Sequence, residues 1–213
     1  MIMRAIAILL LIFLPAAARA VVVDRIAAII DREVITVSEL NQMIELRLIP
    51  RAPGEEEFAY RRRILDAMIA QTLHFREVER FGAEDVPADS VESRIRQASE
   101  RFESQEEFEA TMARLEVTPE AIRTLAKRQL QVESYIEERF SPLIFVSIEE
   151  IESYYRDTWR PQRVSRGLAS IPLAEAREEI RSLLKAERLQ REITGWTEQL
   201  RSRANVDFYT TNL

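Results

Sequence analysis

Near the start of the chain five apolar residues in a row, Ile26 to Ile30, are followed by the polar pair Asp31-Arg32 and a second run containing Val34 and Ile35. Runs of this length, bounded by polar residues, read as two strands joined by a tight turn. Thr36-Val37-Ser38-Glu39 then has the spacing of a capping box: the Thr36 hydroxyl accepts from the Glu39 N–H, and the Glu39 carboxylate reaches back to the Thr36 N–H. Leu40, Met43 and Ile44 recur at helical intervals, so the helix that starts here has one face to bury. A two-stranded hairpin is not stable alone. The other strand-like segment is Asn205 to Thr210, with Val206 and Phe208 on one face, and the two ends of the chain are therefore expected to share one small antiparallel sheet.

Between these strands the apolar period is that of helices. After a loop from Ile49 to Gly54, a long helix opens at Glu55, carries Leu65, Met68, Ile69, Thr72 and Leu73 as a stripe, and ends at Gly82 in a left-handed conformation. A third helix opens at Val86-Pro87-Ala88-Asp89 with Val91, Ile95, Ala98 and Phe102 inward, and Ser104 caps a fourth bearing Phe108, Met112 and Leu115. Thr118 and Pro119 start a fifth, which runs to about Phe140 with Ile122, Leu125, Ala126, Val132 and Ile136 inward. Ser141-Pro142 breaks the chain, and a second capping box, Ser147 with Glu150, restarts it. Arg160 to Pro172 is expected to be a loop. The last helix spans Leu173 to about Arg203 with Ile180, Leu183, Ala186, Leu189, Ile193, Trp196 and Leu200 along one side. Gly195 inside it predicts a close helix contact or a local bend. The fold class that follows is mainly α, with about seven helices and one small antiparallel sheet.

Composition narrows the functional classes. The chain has 213 residues, 46% hydrophobic and 31% charged, which fits a folded helical protein. Four glycines argue against a glycine-rich phosphate loop. A net charge of −6 argues against nucleic acid as a partner. The basic cluster Arg61-Arg62-Arg63 follows Glu55-Glu56-Glu57, so its field largely cancels.

Residues 1–20 have the layout of a secretory signal peptide: Arg4, an apolar core from Ala5 to Leu14, Pro15, and the small-x-small pattern Ala18-Arg19-Ala20. That core is too short for a permanent anchor. The mature chain, residues 21–213, is then expected to be one exported, periplasmic domain without stable membrane insertion. Without any cysteine it has no disulfides and no lipid attachment through an N-terminal Cys.

The stretch Val23 to Thr36, followed by Ser38-Glu39-Leu40, resembles the opening of mature SurA-type periplasmic chaperones, although relatives usually carry Gly or Asn near the position of Arg32. The order of helices through Val91, Ile95, Phe108 and Ile122 to Ile136 is similar to that of the SurA N-terminal module, and Glu187-Arg188 through Trp196 to Leu200-Arg201 resembles its returning C-terminal helix. Glu150 to Tyr155 resembles the segment that precedes a parvulin prolyl-isomerase domain in that family. Residues 160–172 are far too few for a domain of about 100 residues. The resemblance thus implies a SurA N-terminal-like module that lacks the parvulin domain. It implies an ATP-independent holdase for unfolded outer-membrane or secreted proteins, with no cofactor and no prolyl-isomerase activity.

Catalytic chemistry finds little support in the residues themselves. His74 is the single histidine, expected on a helical surface or half-buried, and without cysteine or a second histidine it cannot complete a zinc site. No Ser lies in a Gly-x-Ser-x-Gly turn. Glu149-Glu150 and Glu178-Glu179 sit in first helical turns, where the helix dipole accounts for them. Binding through a broad apolar groove remains, and Met43, Met68, Phe102, Phe108, Met112, Tyr154 and Trp159 are the candidate lining residues. The alternative from another class is a non-catalytic adaptor or structural subunit that recognises one folded partner.

Overall fold

The computed structural model describes residues 24–82, 84–209 and 211; the expected signal peptide lies outside them. Ile26–Ile30 (β1), Glu33–Thr36 (β2) and Val206–Phe208 (β3) form one antiparallel sheet in the order β2-β1-β3. Ile29 lies opposite Val34 on one side and opposite Asp207 on the other. The turn places Asp31 at φ 53, a conformation that Asp tolerates better than most residues. It is fixed from outside: the Asp31 N–H donates to the Asn205 carbonyl at 2.8 Å, the Asn205 N–H donates to Asp31 Oδ1 at 2.9 Å, and Arg76 pairs with Asp31 Oδ2 at 2.8 Å. Tertiary anchors here do what an Asn-Gly dipeptide does locally.

Among the described residues seven helical rods follow from the chain's caps and stripes. Val37–Glu45 (α1) starts on the Thr36/Glu39 capping box, with both reciprocal bonds formed. Glu57–Phe81 (α2), Ala88–Ser99 (α3), Gln105–Arg114 (α4) and Pro119–Phe140 (α5) come next, α4 capped by Ser104 and α5 by Thr118 with Pro119 in the first turn. Gly82 after α2 takes φ 95 and ψ 108, a positive φ suited to glycine but outside the left-handed helical region expected. Ser141 and Pro142 tighten the chain into a 3₁₀ turn, and the Ser147/Glu150 capping box then opens Ile148–Tyr154 (α6).

The expected loop over residues 160–172 is corrected. Arg160–Ser165 (α7) is helical and continues α6 through a π-helical turn, Tyr155–Trp159, leaving only 166–172 as a connection. Proline inside an α-helix lacks an N–H and its ring crowds the carbonyl four residues back. Just before Pro161, the Arg160 N–H bonds to the Tyr155 carbonyl, five residues back, so the wider turn absorbs the proline without breaking the rod. Burial of Trp159 holds that turn in place.

Leu173–Arg203 (α8) is the last helix. Its apolar side is not one stripe: Leu183 and Ala186 are exposed, while Ala176, Ile180 and Leu184 pack at one end and Leu189, Trp196 and Leu200 at the other. The two ends meet different cores, and the middle spans between them. No atom lies within 4 Å of where a Cβ on Gly195 would sit, so a close helix contact does not account for this glycine.

Among the described residues the buried apolar side chains form three clusters. The largest joins the sheet to α1 and α2 and takes Phe140 from α5 and Trp196 and Leu200 from α8. The second gathers Leu46, Phe102, Phe108, Met112 and Ile122, and the third Val146, Ile151, Trp159, Ala176 and Ile180. Of the triple arginine run, Arg63 pairs with Glu55 from the preceding acidic run, Arg62 pairs instead with Asp66, and Arg61 donates to the uncharged Asn41.

Candidate functional site

An open groove of about 540 Å³ lies where the outer edge of β2 meets α1, α2 and α5. Each wall presents residues three or four apart, the spacing of one helical face: Glu39, Gln42, Met43 and Leu46 from α1 and its C-cap, Met68, Gln71, Thr72 and Phe75 from α2, and Ala121, Leu125 and Arg128 from α5. The strand adds Glu33, Val34 and Ile35, and Val34 is 46% exposed in spite of its apolar side chain. Polar and charged residues share the lining with these apolar ones. Arg76 bonds to Asp31, Glu33 and the Ile30 carbonyl, and the Arg128 guanidinium lies 4.8 Å from the centre of the Phe75 ring. The Gln71 side-chain N–H₂ is sealed from solvent and has no hydrogen-bond partner.

Of the residues singled out from sequence, the structure brings Met43 and Met68 together in this groove. Phe102, Phe108 and Met112 are corrected to core: they are 8%, 1% and 9% exposed and pack on one another in the second cluster, the two phenyl rings 5.3 Å apart. Trp159 is buried in the third cluster, its Nε1–H donating to Glu179 at 3.2 Å, and Tyr154 is half-buried beside it. Spacing marks a side chain as apolar-facing but not what covers that face. Val34, Phe75, Gln71 and Leu125 were not legible as groove residues. The one available signal was Val34, an apolar residue on a strand with no further strand in the sequence to cover its edge.

A second cleft of about 360 Å³ opens on the other side of Gln71, with Arg94, Glu133, Ile136 and His74 among its walls. Arg94 and Glu133 close on each other through two bonds of 2.8 and 2.6 Å. His74, expected on a helical surface or half-buried, is corrected to core: it is 7% exposed, and its ring stacks on Trp196 at 4.3 Å and 5°. Thr197 Oγ1 donates to the Ile193 carbonyl at 2.7 Å, so the 2.7 Å contact with His74 Nε2 is an N–H donated by the imidazole. Desolvation holds the His74 pKa down to about 4, and the ring is neutral at physiological pH. A hydroxyl nucleophile needs a base that accepts its proton; here the hydroxyl is the acceptor, so this pair is a structural clasp between α2 and α8.

Among the described residues no three His, Asp or Glu side chains gather to hold a metal ion, and no helix is long and apolar enough to cross a membrane. The chain matches no protein-family model, and no match was found among the curated proteins.

Proposed function

We propose that this protein is an exported, ATP-independent holdase that captures unfolded polypeptide, of the kind presented by outer-membrane or secreted proteins, in the groove beside β2. The observation that carries the reading is the lining of that groove: Met43, Met68, Val34, Phe75 and Leu125 stand partly open to solvent along its walls. Methionine adapts its shape to varied partners, which suits a site that must accept many sequences. The resemblance of the opening segment to SurA-type chaperones points the same way. A second reading, an adaptor for one folded partner, draws on Leu143, Phe145 and Ile148, which are 72%, 74% and 55% exposed near the start of α6.

Burial of apolar surface predicts affinities on the order of micromolar that salt barely changes. The mature chain is mixed with several unrelated unfolded outer-membrane proteins, and aggregation and binding are followed at low and high salt. Suppression across clients that Met43→Glu and Met68→Glu together abolish supports the holdase. Capture of a single folded partner, lost on Phe145→Glu and untouched by the groove substitutions, would replace it with the adaptor.

A further inference from the structure

The backbone along the groove carries a second kind of recognition. In an antiparallel ladder successive residues turn their N–H and C=O to opposite neighbours. The Tyr209 N–H donates to the Ala27 carbonyl at 3.0 Å and the Asp31 N–H to Asn205 at 2.8 Å, so the odd-numbered residues of β1 bond toward β3. Ile29 belongs to that set, and Val34 is its partner across the other side. The N–H and C=O of Val34 therefore point away from β1, to the outer edge of the sheet, along which no further strand lies among the described residues. Val34 and Ile35 also form the wall of the groove, so unpaired backbone groups and apolar side chains face the same opening.

We propose that this edge receives an extended polypeptide segment as an added strand, its alternate apolar side chains entering the groove among Met43, Met68 and Phe75. The inference rests on the holdase reading and deepens it by assigning the conformation of the client. Strand addition matches the chemistry present, because main-chain bonds attract any sequence while the groove selects for alternating apolar residues. A helix has already satisfied its own backbone and gains nothing from the Val34 groups. An anionic ligand is disfavoured, since Glu33, Glu39 and Glu79 outnumber Arg76 and Arg128 on the rim and Arg76 is fully engaged. The shortness of β2 and the charge of Glu33 at its start limit indiscriminate sheet extension.

The probe is a fluorescent ten-residue peptide alternating leucine or valine with threonine or serine, titrated against the mature chain by anisotropy. Two further peptides carry N-methyl groups on one or the other set of alternate amides. Methylation of the set that faces β2 is expected to weaken binding at least tenfold, and methylation of the opposite set less than twofold. Val34→Pro removes the outward N–H without touching a ladder bond, as proline does at an edge strand, and is expected to weaken binding at least tenfold while far-UV circular dichroism is retained. Equal effects of the two methylations, wild-type affinity in folded Val34→Pro, or equal binding of a stapled helical peptide of the same composition would each overturn the proposal. So would a dimer in sedimentation that Val34→Pro dissociates and the peptide does not, which assigns the edge to a second copy. If Val34→Pro fails to fold, the methylated peptides decide. Aggregation suppression measured in parallel separates the two ideas: suppression that persists with no edge effect leaves the holdase without strand addition, and an edge effect without suppression of any client leaves a strand-binding site on a protein that is not a holdase.

Discussion

Replacing His74 by phenylalanine isolates one proton-linked contribution to stability. The ring stacked on Trp196 stays aromatic, and Thr197 keeps its bond to the Ile193 carbonyl, so the change removes the titration and one N–H donor with little loss of packing. In the folded chain the imidazole pKa falls from 6.5 to about 4 because burial penalises the charged ring. The unfolded chain thus binds more protons than the folded one between these values, and stability rises with pH across the window. The contribution is complete above 6.5, lost as pH falls toward 4, and constant below. At ~1.4 kcal/mol per pKa unit, the distance from 6.5 to about 4 gives about 3 kcal/mol. Carboxylates act in the same direction further down: Glu55, held to about 2 chiefly by Arg63, loses its contribution only as pH drops below 4.5. That part is common to both proteins and cancels in their difference. Urea unfolding of wild type and His74→Phe at several pH values from 7.5 to 4 is expected to give a difference that shifts by about 3 kcal/mol over this range. A flat difference would refute the buried, neutral clasp.

Deleting residues 205–213 removes β3, both Asn205 bonds to Asp31, the Tyr209 bond to Ala27 and the Phe208 ring that lies 4.2 Å below Arg62. At ~1 kcal/mol per net hydrogen bond plus the packing of Val206 and Phe208, a loss on the order of 3–5 kcal/mol is expected in a single transition, and an unchanged melting temperature would count against the shared sheet. The purified chain is expected to leave the cis-to-trans conversion of a proline peptide at its uncatalysed rate, tens of seconds or slower; acceleration that disappears in His74→Ala would show that the clasp does chemistry.

What the sequence disclosed was local, or paired by elimination. Thr36, Ser104, Thr118 and Ser147 cap the helices they announce because a cap involves only the next three residues. β3 joined β1 because the hairpin required a third strand. The rest depended on distant partners. His74 is buried by Thr197, 123 residues further on, and by its neighbour Trp196, a pairing no local period contains. Residues 160–172 were expected to be a loop, because the wide turn that carries the chain into Pro161 is stabilised by burial of Trp159 rather than by a local period. In the candidate site, Met43 and Met68 were found by type, but Phe102, Phe108 and Met112 have the same type and spacing and lie inside a core. Only the arrangement of α1, α2 and α5 around the strand edge separates the two sets.

The anchoring of Asp31 by Asn205 bears on how the chain is made. The two residues stand 174 positions apart. At translation rates of about 5–20 residues per second, Asn205 is synthesised about 9–35 s after Asp31. Through that interval the turn lacks its main-chain anchor, β1 has one flank uncovered, and the largest core lacks Trp196 and Leu200. The sheet and the largest core are therefore complete only once β3 has been made, and a nascent chain stalled before Asn205 would remain open and accessible to proteases.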